Sequence, residues 1–353
     1  MKKQIKLLIL APLLFCAPAF GDEGNFKPKK DIPASPMPAI YNYPAQVDTK
    51  NGWDTFVTAS FLYWNVFQEG MEMGSFRSID ISDNSPTGIL EFPDEYKAGF
   101  KVGFGWNTPF DDWTLSAEYT WFHHKLHQTQ PKDLVLTPNF YSFNITNGFH
   151  KWMIDLDMVD IVLSRSFYQG KNLILIPSFG LKGVFLDQKY TVKGISQNVS
   201  TSFFGQERSG YGKTASWAVG PSLGLEGRFL LGKGFRLEGA LSGALTFTRY
   251  NGFRYFSQSD STEYPDANIR GSDENRVRAI GDAEAGFGWG MYLCNQRYHI
   301  DFSATYEFQV FWNQNMMSWF ANRVTNASKS TTNASSPGNL YFQGLTVSGT
   351  FDF

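Results

Sequence analysis

The chain has little cysteine: two residues in 353, Cys16 and Cys294. It has little charge, 18% in all, and no marked excess of either sign, with a formal net charge of −2. After the first twenty-odd positions it has no long apolar run. Each shortage excludes something. Two cysteines make no disulfide framework. A charge near zero gives no electrostatic footprint for nucleic acid. A helical membrane protein needs about 20 consecutive apolar residues per span. What is abundant is aromatic residues, 17%, and glycine, 33 residues, although mean hydropathy is −0.28. Aromatics and glycine without net hydrophobicity suit many short strands and turns. Two all-β architectures remain, a soluble sandwich and a membrane barrel, and the length allows either as one domain.

Residues 1–21 have the form of a secretory signal peptide. Lys2, Lys3 and Lys6 precede the short apolar core Leu7–Phe15, and Ala19-Phe20-Gly21 offers a cleavage site. Phe15, where a small residue is wanted, argues against lipidation of Cys16. The exported chain then keeps Cys294 alone, a free thiol or an intermolecular bridge. Residues 22–52 carry Pro28, Pro33, Pro36, Pro38 and Pro44 among lysines and read as an extended or disordered periplasmic lead segment. Residues 53–353 are the expected barrel.

From Thr55 apolar and polar residues alternate with period two, the pattern of strands with two different faces. Val57, Ala59, Phe61 and Tyr63 oppose Thr58 and Ser60. Nine further runs follow, near 97–106, 113–121, 152–163, 173–185, 217–229, 235–247, 277–293, 300–309 and 345–353. The run at 152–163 changes phase, and a β-bulge near Met158 would reconcile its halves. The connections alternate. They are short near 108–112, 168–171, 230–234 and 294–297, and long near 68–94, 123–150, 192–214, 250–275 and 313–338. Short periplasmic turns with long extracellular loops mark an antiparallel transmembrane β-barrel of the outer membrane, here of about ten strands. Segments 134–136 and 141–145 are candidates for further strands. Trp53, Trp64, Trp106, Trp113, Trp121, Trp152, Trp217 and Trp312 fall near strand ends, as aromatic girdles require. Phe351 and Phe353 on the last strand resemble the assembly signal of outer-membrane barrels, which makes the barrel-assembly machinery an expected partner beside outer-membrane lipid.

The polar phase of the strands defines the candidate lumen. Lys97, Lys101, Lys182, Arg228, Arg236 and Arg278 fall on it, with Glu118, Asp155, Asp157, Glu226, Glu238, Asp282, Glu284, Asp301 and Glu307. On the lipid face a Lys or Arg costs about 2–4 kcal/mol near mid-bilayer. In a wide barrel such charges filter ions and small hydrophilic solutes; in a narrow one they pair and largely close it. Glu226 and Arg228 are placed to pair with Arg236 and Glu238 across a hairpin. His123, His124 and His127 read as a solvated rim and not as a metal site. No hydrolase or phosphate-loop pattern occurs, and Asp133, His127, Asp273 and Glu274 are the residues an extracellular-rim enzyme would gather. No cofactor and no catalytic step is expected.

The stretches 176–190, 218–225, 288–299 and 306–315 resemble the pore-forming, major-outer-membrane-protein-like family of Legionella and chlamydia-like bacteria. The clearest is Gly288-Trp-Gly-Met-Tyr-Leu-Cys-Asn-Gln-Arg-Tyr-His299. The resemblance implies an integral outer-membrane barrel with porin-like activity and supplies no catalytic residues. Ten strands are few for an open porin, so the alternative is a structural or adhesive surface barrel with a closed lumen.

Overall fold

A computed structural model describes residues 45–50, 52–78, 88–130, 134–138, 144–196, 205–259, 267–317 and 337–353. The strands are β1 (Thr55–Gln68), β2 (Gly74–Ser78), β3 (Gly88–Leu90), β4 (Tyr96–Asn107), β5 (Trp113–Thr129), β6 (Leu134–Pro138), β7 (Ile145–Arg165), β8 (Phe167–Tyr168), β9 (Leu173–Ser196), β10 (Glu207–Gly232), β11 (Phe235–Ser259), β12 (Ala267–Arg270), β13 (Glu274–Leu293), β14 (Tyr298–Asn315) and β15 (Gly338–Asp352). Ten long strands, β1, β4, β5, β7, β9, β10, β11, β13, β14 and β15, pair antiparallel in sequence order. The ladder β1–β15, from Phe56↔Asp352 to Gln68↔Leu340, closes the barrel. Closure leaves no sheet edge, which lipid requires.

The five short strands lie outside this wall. β2 pairs with β3 and β6 above the rim, β12 extends β11, and β8 lies at a turn. Segment 134–136 is therefore a strand, as its pattern suggested, but it builds an extracellular sheet and adds nothing to the barrel. Of 141–145, positions 141–143 lie outside the described residues and Ile145 opens β7. The signal peptide and most of the lead segment lie outside them too.

The outward positions form an apolar band. Val57, Phe61, Phe100, Phe104, Leu181, Leu223, Leu225, Leu241, Leu245, Phe287, Phe302 and Val347 are all exposed, the surface a hydrocarbon layer covers. Alternate positions turn inward, and backbones crowd there. A Cβ on Gly220 would meet the Leu245 carbonyl oxygen at 2.0 Å, and one on Gly286 the Ala304 oxygen at 2.1 Å.

No bulge occurs at Met158. The β5–β7 ladder runs without interruption from Trp113↔Arg165 to Thr129↔Phe149, and β7–β9 shifts only between Thr146 and Phe149. Trp152, Ile154, Leu156 and Met158 point inward throughout, while Val159 and Ile161 point outward. What changes along β7 is the environment. In the membrane the outer face meets lipid; above it the outer face meets water and the inner face packs against protein.

Candidate functional site

The lumen has two storeys. In the turn-proximal half the inward positions are charged. Lys101 donates to Glu307 at 2.9 and 3.0 Å and lies 3.8 Å from Glu118. Lys182 is 3.1 Å from Asp160 and 3.3 Å from Asp282, joining two walls. Arg236 bonds Glu238 at 2.8 Å and grips Asp301 with both terminal nitrogens. Arg228 bonds Glu226. The pairing of these hairpin residues thus runs along each strand, two residues apart, and not across the hairpin, because Arg236 turns instead to Asp301 on β14. Between the walls lies a cavity of about 360 Å³, lined in part by Lys101, Glu118, Asp160, Lys182, Glu284 and Glu307. Asp160 was not among the expected lining residues, since it sits between Val159 and Ile161 in a run read as apolar.

The extracellular half is apolar. Leu62, Trp64, Phe122, Leu126, Trp152, Ile154, Leu186, Tyr190, Phe253, Phe311, Leu340 and Phe342 point inward, and Met71, Met73, Met316 and Met317 beside the strand ends and Leu136 of β6 join the same buried cluster. Polar atoms at this level bond across the lumen. Gln188 on β9 donates to Gln68 on β1 at 2.8 Å, and Gln314 on β14 donates to Ser216 on β10 at 3.0 Å. Arg278 belongs here and not to the charged storey, with its guanidinium on the Tyr250 hydroxyl and the Met316 sulfur. Lys97 is on the inward phase but lies at the open end of β4, exposed, 3.2 Å from Glu95.

The periplasmic mouth is crossed by a strap. Ala45 donates to the Ser166 carbonyl at 3.0 Å and Lys50 to that of Gln296 at 2.8 Å. Between them Gln46 bonds Thr114, and Asn107 bonds the Val47 carbonyl. Ser166 follows β7 and Gln296 lies in the β13–β14 turn, on opposite sides of the barrel.

Three expectations fail on orientation. Asp155 and Asp157 face outward, where His123 lies 3.5 and 3.3 Å from them and the Tyr119 hydroxyl donates to Asp157. Trp64 and Trp152 are buried inside the lumen and not in a girdle. The Trp64 indole donates to Thr346 at 3.1 Å, and the Lys101 ammonium sits 5.3 Å from its ring centre. Of the three histidines expected on a solvated rim, His124 points inward and is buried, while His123 and His127 point outward. Trp53, Trp106 and Trp312 are exposed, and Trp113, Trp121 and Trp217 half-buried, on the outer surface or at its ends. Phe351 faces outward, and Phe353 closes β15 against Thr55. The rim residues do not assemble either. Asp273 pairs with Arg249 and Glu274 with Arg276, five strands from His127, and Asp133 lies outside the described residues.

A family model described as Legionella pneumophila major outer membrane protein precursor matches residues 46–353. No curated protein matches. Among solved structures, the chain is similar to the outer membrane protease OmpT from Escherichia coli (TM-score 0.43, 11% identity, 84% of this chain and 96% of that one). It is also similar to the translocator domain of the autotransporter NalP from Neisseria meningitidis (TM-score 0.34, 11% identity, 86% and 90%). A third is a Pseudomonas aeruginosa FadL homologue (TM-score 0.30, 6% identity, 85% and 89%).

Proposed function

Because this chain belongs to the Legionella major outer membrane protein family and is integral to the bacterial outer membrane, we propose that it is a structural surface barrel whose lumen is closed at rest and whose working surface is extracellular. The observation that carries this is the filled upper storey. Trp64, Trp152 and Phe342, fully or nearly fully buried, occupy the space an open porin leaves to water. The strap of residues 45–50 spans the other mouth. The platform of β2, β3 and β6 gives the outer end a surface of its own. No chemical step is part of this reading.

A second reading is porin-like passage of ions and small hydrophilic solutes. The cavity of about 360 Å³ favours it, since charge and water-sized space persist through the membrane-embedded half. Planar-bilayer recording of purified, heat-modifiable protein separates the two. A closed barrel gives a quiet baseline, and frequent discrete conductance steps in folded protein would overturn it. If steps occur, the reversal potential in a salt gradient reports the acid-rich lining, and alanine at Glu118 and Glu307 is expected to weaken cation preference.

A further inference from the structure

Cations are distributed unevenly on the outer wall above the lipid-facing band. Lys125 of β5 is in register with Met153 of β7, Met153 with Lys189 of β9, Lys189 with Lys213 of β10, Lys213 with Arg254 of β11, and Arg254 with Arg270 of β12. Five cations thus lie in one row across six strands. The outward positions of β14, β15, β1 and β4 carry no lysine or arginine. The row runs square to the strands, so it climbs with their tilt, and its place is fixed strand by strand. Trp121, Asp157, Phe185 and Trp217 form a parallel row four residues nearer the membrane, about 13 Å along the strands at 3.3 Å per residue. Trp121, Phe185 and Trp217 there suit the interface, so Lys125, Lys189 and Lys213 on the same strands stand on its outer, headgroup side.

Like charges directly opposite each other in a ladder are destabilising, and Lys189, Lys213, Arg254 and Arg270 are successive opposite neighbours. Asp187 meets Lys213 at 3.9 Å, and the Lys189 ammonium sits 5.0 Å from the Tyr211 ring centre. These contacts answer two members of the row. An arrangement costly by itself is made favourable by an anion that spans it.

We propose that Lys125, Lys189, Lys213, Arg254 and Arg270 form a binding site for the phosphate groups of the phosphorylated glycolipid in the outer leaflet. Charge complementarity and the place of the row beyond the aromatic residues of the same strands carry the assignment. Arginine supplies two-pronged bonds to phosphate oxygens and lysine supplies point charges. The acyl chains would lie down the apolar band below, past Phe185 and Val219, both exposed.

The test uses the full-length protein in non-ionic detergent, titrated with lipid A and, in parallel, with lipid A stripped of its phosphates. Binding and a rise in thermal midpoint are expected with the first and far less with the second. Each basic residue near an anionic surface contributes roughly a fivefold factor, so K189Q/K213Q/R254Q is expected to bind on the order of a hundredfold more weakly. Its midpoint in detergent alone should equal or exceed that of the wild type, because repulsion is removed. If that variant does not fold, K125Q/R270Q carries the same test. Equal binding of both glycolipids would overturn the proposal, as would unaltered binding by the folded variant. So would an equal response to inorganic phosphate at matched concentration, which would make the row a free-anion site.

Discussion

Trp64 illustrates how a side chain suited to a membrane boundary serves as core. It is buried on β1, donates its indole N–H to Thr346 and receives the Lys101 ammonium over its face. Trp64→Ala is expected to destabilise the barrel by about 3–5 kcal/mol, read as a lowered midpoint of heat modifiability. The same change at exposed Trp106 should cost far less. Lys101 is the hinge of the charged storey. Lys101→Met leaves Glu307 buried beside Glu118 without its partner and is expected to cost about 3–5 kcal/mol, much of it recovered in Lys101→Met/Glu307→Gln. Outside the spanning strands, Glu69 is held below the usual carboxylate range by the Tyr341 hydroxyl and the Asn339 backbone N–H. A lowered pKa contributes stability that is complete above the unfolded value, about 4.3, and is lost as the pH falls through the folded one. The difference in thermal midpoint between wild type and Glu69→Gln should therefore be constant from about pH 7 to 5 and close only as the pH falls below the unfolded value.

At the scale of the strand, alternation was legible wherever the chain crosses lipid, because one face is apolar by necessity. All ten barrel strands, their order and the alternation of short and long connections follow from that, although the strands run further into the long connections than expected, β5 to Thr129 and β11 to Ser259. Apart from Asp160 and the hairpin pairing of Arg228 and Arg236, the failures sit above the membrane. On β7, Trp152, Ile154 and Leu156 looked like a slipped phase, and Asp155 and Asp157 like lumen residues. Hydrophobic pattern reports which face is dry, and the dry face changes from outside to inside as the strand leaves the bilayer. Read alone, a sequence does not mark that crossing; an unbroken ladder in β5 and β7 does. The inward glycines had no signal beyond composition. Gly286→Ala would drive a methyl into the Ala304 carbonyl, and a cost of about 1–3 kcal/mol is expected from the forced strand shift. A fall in the yield of folded, unboiled protein on a gel would register it.

For the whole molecule, the cavity lies between an apolar cap above and the strap of residues 45–50 that spans the mouth below. A single thiol at Ser178, which lines the cavity, in a Cys294→Ser background should react slowly with a small charged reagent. Deleting residues 22–50 should speed that reaction severalfold if the strap is the gate, and leave it unchanged if access runs through the cap. The lumen charges were legible as a set. Their division into a charged half and an apolar half was not, since it depends on which residues face each other across the barrel.

The seam has a kinetic meaning. Phe56 pairs with Asp352, and every rung of the β1–β15 ladder joins residues nearly a whole chain length apart. Contacts so distant in sequence are slow to form, because loop closure must precede any gain from pairing. The first strand waits, with an unpaired edge, until the last is delivered. During that interval an aromatic-rich chain is open to wrong partners, so the yield of folded barrel is set by how long the seam stays open as much as by its final stability.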